Sequence, residues 1–177
     1  MIRIFLVGYM GAGKTTLGKA FARVMKLSFV DLDWYIEERF HKTISQLFAE
    51  RGEAAFRELE RNALHEVGEF EDVIIATGGG TPCFCGNMDY MNTRGETVFL
   101  NVNQSVLFVR LKIASMNRPM IKGKSDEELR AFIMSSLEKR LPIYNQAKYV
   151  FDGSRLETKT QVVESVCRLQ QLLNITH

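Results

Sequence analysis

At 177 residues, 46% apolar and 25% charged, the chain has the length and composition of one globular domain, which excludes disordered and fibrous classes. Its 23 basic and 21 acidic residues leave a net charge of +2, too little for a nucleic-acid surface but compatible with a local cationic pocket. The three cysteines, Cys83, Cys85 and Cys167, match no metal or redox spacing and read as reduced thiols, and no apolar run reaches the ~18 residues of a membrane span.

The predicted elements alternate between short apolar runs and longer helical patterns. Ile2–Val7 reads as a first strand, not a signal peptide, because its apolar run is short and flows into a glycine-rich segment carrying Lys14. A cytoplasmic protein is the expectation. Lys14–Met25 has helical periodicity, with Leu17, Ala20, Phe21 and Val24 on one stripe. Leu27–Leu32 is a second strand, and Trp34–Phe40 a helical continuation. Thr43-x-x-Gln46 has the form of a capping box; a helix runs through Phe56, Leu59, Ala63 and Val67, and Gly68 supplies its stop. Val73–Ala76, Thr97–Val102 and Tyr149–Phe151 are further strands. Helical runs cover Ser105–Ala114, the stretch from the capping box Ser125-x-x-Glu128 to about Leu141, and Lys159–Leu173. Strands apolar on both faces that alternate with helices predict an α/β fold. The whole chain, 1–177, reads as one domain built on a parallel sheet covered on both sides.

Gly8-Tyr9-Met10-Gly11-Ala12-Gly13-Lys14-Thr15 fits G-x-x-x-x-G-K-[ST] in full, between a strand and a helix. Glycines let such a loop wind around phosphate oxygens with its N–H groups inward, and the following helix adds the positive end of its dipole. Gly11, Ala12, Gly13, Lys14, Thr15 and Thr16 are therefore ATP-binding candidates, with Lys14 for the β- and γ-phosphates and the Thr15 hydroxyl for Mg²⁺. Asp31 and Asp33 stand at the end of the second strand, where ligands collect in open parallel sheets. Alternation puts them on one side: one carboxylate could serve Mg²⁺ and the other accept a hydroxyl proton, or Asp33 could cap the next helix. Gly78-Gly79-Gly80 implies a close approach, either of a ligand or of a second chain segment. Arg57 stands among Glu53, Glu58, Glu60 and Arg61, a spacing that reads first as a solvated helix face. Arg140 reads as a helix-dipole partner, and Arg118-Pro119 as a turn in the polar stretch Asn117–Lys124.

Taken in order, the phosphate loop, Asp31-x-Asp33, Phe56-Arg57-x-x-Glu60, Gly78-Gly79-Gly80, Arg118-Pro119 and Lys139-Arg140-x-Pro142-x-Tyr144 resemble the shikimate kinases over residues 2–152. The resemblance implies a single-domain P-loop kinase with a five-stranded parallel sheet. Such an enzyme transfers the γ-phosphate of ATP, with Mg²⁺, to the 3-hydroxyl of shikimate in aromatic amino-acid biosynthesis. It implies a phosphate loop at 8–15, an acceptor-binding helical region at 33–61 and a lid at about 117–124. Asp33 would hold the ring hydroxyls and take the proton, while Arg57 and Arg140 bind the carboxylate and Gly79 offers its N–H. Lys14, Asp33 and Arg118, the last from the lid, would be the catalytic residues. Asp31 would serve the Mg²⁺ site with Thr15, and Arg155 would flank the adenine. Glu60 would orient Arg57, and Phe48 and Phe56 would wall the acceptor pocket. The segment Thr81–Gly86, with Pro82 and two cysteines, departs from the small apolar residues expected after the glycines. ATP and shikimate are the implied partners, with no nucleic acid or membrane, and a monomer is expected.

Overall fold

The computed structural model describes residues 1–114 and 121–175. Its strands are β1 (Arg3–Val7), β2 (Ser28–Asp31), β3 (Val73–Ala76), β4 (Glu96–Asn101) and β5 (Tyr149–Asp152). They pair in parallel in the order β2-β3-β1-β4-β5, with Phe5 opposite Ile75 on one side and Thr97 on the other. Ile4–Val7 and Val73–Ile75 are wholly buried, as central strands covered on both faces must be. Around the sheet lie α1 (Lys14–Met25), α2 (Leu32–Phe40), α3 (Ile44–Val67), α4 (Asn87–Arg94), α5 (Gln104–Ala114), α6 (Asp126–Tyr144) and α7 (Lys159–Leu173). The expected α/β architecture is the one observed. No helix among the described residues is long and apolar enough to cross a membrane.

The local signals behave as their chemistry requires. The boxes at Thr43–Gln46 and Ser125–Glu128 each form both reciprocal hydrogen bonds. Gly68 ends α3, although with right-handed backbone, and Gly52 (φ 77°) breaks that helix internally.

Three expectations need correction, and one helix was not anticipated. Val24 is 45% exposed, and the buried arc of α1 runs instead through Leu17, Gly18, Phe21, Ala22 and Met25. The arc is rotated because Gly18 is the point of closest approach to the sheet: a Cβ there would lie 2.6 Å from the Phe29 ring and 3.0 Å from Leu6. β2 stops at Asp31, so Asp33 belongs to the first turn of α2, and Asp31 is the cap, accepting from the amides of Asp33 (3.2 Å) and Trp34 (3.5 Å). α6 continues past Leu141 through Pro142 to Tyr144. The short α4 was not legible: Met88 and Met91, two of its apolar residues, are buried, but its polar neighbours obscure any stripe.

Candidate active site

β1 delivers the chain into the 8–13 loop and α1 starts at Lys14, so loop amides and the helix N-terminus share the carboxyl end of the sheet. Gly13 takes a left-handed conformation (φ 93°) that favours glycine, and a Cβ there would press on the Leu156 side chain. Lys14 Nζ donates to the carbonyls of Gly8 (2.7 Å) and Tyr9 (2.9 Å), which holds the ammonium against the loop. A cleft of about 440 Å³ is lined by Gly11, Gly13, Lys14, Thr15 and Thr16 together with Asp31, Asp33, Gly79, Arg110 and Leu156. The Ala12 side chain is turned into the core.

Thr15 Oγ1 donates to Asp31 Oδ2 (2.7 Å), while Asp31 Oδ1 caps α2. One carboxylate thereby ties the phosphate loop to the helix that carries Asp33. Hydroxyl and carboxylate oxygens in contact are the hard donor set that Mg²⁺ favours beside phosphates. Burial pushes the Asp33 carboxyl up to about 6; the negative charges of Asp31 and Glu60 add to the effect and Lys14 opposes it. A carboxyl poised there suits proton abstraction near neutral pH.

Arg57 is not on a wet helix face. Its side chain is only 13% exposed, and Nη1 donates to Glu60 Oε2 (2.8 Å). Its guanidinium carbon lies 4.0 Å from the Phe84 ring centroid, 5.3 Å from Phe48 and 5.5 Å from Phe56. Arg57 Nε is buried without a hydrogen-bond partner, a cost that an arriving carboxylate would remove. Glu60, 2% exposed, also accepts from Thr81 Oγ1 (2.6 Å), so it fixes both Arg57 and the chain after the glycines.

The glycine triplet is explained by what presses on it. A Cβ at Gly78 would lie 2.9 Å from Asp33 Oδ1, one at Gly79 3.3 Å from Arg140 Nη1, and one at Gly80 2.8 Å from Arg57 Nη2. Bare backbone is what lets these three charged side chains converge. The Tyr144 hydroxyl donates to the Gly79 carbonyl, and burial holds that phenol protonated far above its ordinary range. Arg140, one turn earlier, lies 5.5 Å from the Tyr9 ring centroid, with no carboxylate in ion-pair range among the described residues. The Lys139–Tyr144 motif is thus a device that docks α6 on the glycines and brings Arg140 with it.

Lys14, Thr15, Asp31, Asp33 and Gly79 line the cleft, and Arg57 and Arg140 close on the glycines beside it. Arg155 is not brought there: it is exposed, 3.4 Å from Glu164 of α7. Arg118 lies outside the described residues.

The shikimate kinase family model matches residues 10–170, nearly the whole chain. The chain belongs to the shikimate kinase family. The shikimate kinase of Bacteroides thetaiotaomicron is 64% identical over 175 residues, covering 99% of this chain and 100% of that protein. The crystal structure of shikimate kinase from that organism aligns with a TM-score of 0.96 at 64% identity, over 98% of this chain and 99% of that one. A shikimate kinase from Acinetobacter baumannii, solved in complex with shikimate, aligns with a TM-score of 0.83 at 30% identity, over 98% and 94% of the two chains.

In this shikimate kinase, sequence reasoning missed Arg110. From α5 its Nη1 donates to the carbonyls of Gly11 (3.2 Å) and Ala12 (3.3 Å), and its Nη2 to that of Gly153 (2.8 Å). Nε (2.8 Å) and Nη2 (2.6 Å) also donate to Glu157 Oε1. The guanidinium straps the phosphate loop to the 153–157 segment. A lone arginine in an apolar helical run was its only mark.

Proposed function

We propose that this enzyme catalyses transfer of the γ-phosphoryl group of ATP to the 3-hydroxyl of shikimate, with the acceptor carboxylate held between Arg57 and Arg140. The observation that carries this placement is the buried, unpartnered Nε of Arg57 beside an Arg140 that has no carboxylate in reach among the described residues. Planar guanidinium forks suit a carboxylate better than lysine would. Asp33 holds the ring hydroxyls and accepts the proton of the attacking one; that oxygen bonds to the γ-phosphorus as the bond to the β,γ-bridging oxygen breaks and ADP leaves. Lys14, the loop amides and Thr16 hold the phosphates, and Gly79 offers its N–H to the acceptor. Thr15 and Asp31 are the residues that would hold Mg²⁺, which when bound neutralises charge on the β- and γ-oxygens. Arg118, from a lid at about 117–124, meets charge on the transferring group. For the base, the flat Arg110 guanidinium and apolar Leu156 are better placed than Arg155, since both line the cleft. Reduced cysteines together with an ATP-linked reaction support a cytoplasmic location.

Coupled ADP release measured with shikimate, gluconate and AMP tests the assignment. ADP should form with shikimate and not with the other two; absence of shikimate-dependent ADP overturns it.

The raised Asp33 pKa gives two signs. Below pH about 6 the carboxyl is protonated and cannot take the proton, so kcat/KM for shikimate should fall with unit slope on the acid side. Stability runs the other way. The folded value lies above the ordinary 3.8, so stabilisation by the bound proton is complete below that pH and lost as pH rises through about 6. At pH 8 the ionised carboxylate therefore destabilises on the order of 2–3 kcal/mol. Asp33→Asn should lose turnover yet melt several degrees higher at pH 8, the gain shrinking toward pH 5. An unchanged melting temperature at pH 8 would contradict the buried carboxylate.

A further inference from the structure

We propose that Phe84 is a positioning residue for the acceptor: its ring face holds the Arg57 guanidinium in the plane that grips the carboxylate. The proposal rests on Arg57 being the carboxylate contact. Phe84 belongs to Thr81–Gly86, the segment that departs from the expected pattern, and no motif reaches it. The short turn Thr81–Cys83 ends at Phe84 in extended backbone (φ −126°, ψ 157°), and Cys85 then turns left-handed (φ 53°) toward α4. This bend presents the ring to α3, and at 4.0 Å it is nearer the Arg57 guanidinium carbon than Phe48 or Phe56.

The polar contacts do not fix that plane alone. Glu60 takes Nη1, Glu53 stands 3.6 Å from Nη2, and Nε has no hydrogen-bond partner. Bidentate recognition needs two N–H groups in one plane, so a residue that sets the plane sets the affinity. An aromatic face does so while attracting the cation, most strongly where water is excluded. Gly80 supplies a second close boundary, since even a methyl group there would meet Nη2 at 2.8 Å.

Phe84→Leu keeps apolar bulk and removes the π-face; Phe84→Met does the same with a more adaptable side chain should the leucine variant fold poorly. Either should raise the shikimate KM and the calorimetric Kd roughly five- to thirty-fold. The kcat and the ATP KM should stay within about twofold, and Phe84→Tyr should restore the acceptor KM. In an Arg57→Ala background Phe84→Leu should add less than about twofold, because the group it positions is gone. If Arg57→Ala raises the acceptor KM and neither Phe84→Leu nor Phe84→Met does, or if Phe84→Leu costs the same in both backgrounds, Phe84 does not position Arg57. If Arg57→Ala itself leaves the acceptor KM unchanged, the carboxylate assignment fails first and this proposal with it.

Discussion

Lys14→Ala should lower kcat by ~10²–10³ while the protein stays folded, the loss seen when one preorganised electrostatic donor is removed from a reaction that develops charge. The ammonium sits against the carbonyls of Gly8 and Tyr9, on a loop that borders the cleft and not within the packed sheet. Its removal leaves strand pairing and the α1 core untouched, so circular dichroism and the melting temperature should change little. Steady-state turnover then isolates the phosphate contact. Near-normal kcat in a folded variant would mean that Lys14 does not touch the transferring group.

Arg57 and Arg118 should separate kinetically. Arg57 is assigned to the acceptor carboxylate, which carries the same charge in ground and transition states, so its loss appears mainly in the shikimate KM. Arg57→Ala should cost ~2–4 kcal/mol in kcat/KM for shikimate, with ATP binding little changed. Arg118→Ala should lower kcat with a smaller effect on that KM, since it meets charge that grows during transfer. The structure adds a complication and its control. Glu60 is almost wholly buried, so Arg57→Ala also leaves an uncompensated carboxylate, worth ~3–5 kcal/mol of stability. Arg57→Lys keeps the charge beside Glu60 but loses the planar fork, and should raise the acceptor KM with much less destabilisation. An unchanged acceptor KM in both Arg57 variants would show that the carboxylate binds elsewhere.

What the sequence made legible was local. The phosphate loop, both capping boxes and the five strands depend on neighbours a few residues away, and the structure places them within a residue or two of expectation. Arg57 was ambiguous because its spacing to Glu53 and Glu60 is that of an exposed face. Its burial depends on Phe84, from another segment, and on Phe48, across the break at Gly52. The glycine triplet announced a close approach but not its partners, which arrive from α2, α3 and α6. Asp31 and Asp33 were read as neighbours in one strand; the helix starts between them, which turns the first into a cap and carries the second into a helix. Arg110 left little trace because three of its acceptors are main-chain carbonyls, which every residue possesses, and its carboxylate partner Glu157 lies 47 residues away.

The Arg110 strap also bears on when the site can exist. The loop it holds is synthesised before its strap: the carbonyls at Gly11 and Ala12 wait 99 and 98 residues for their donor. At translation rates of about 5–20 residues per second that interval is roughly 5–20 s. Gly153, Leu156 and Glu157, which complete the wall, follow Arg110 by a further 43 to 47 residues. The growing chain therefore carries the nucleotide motif well before the parts that shape it, and competence for ATP comes with those later segments, not with the motif.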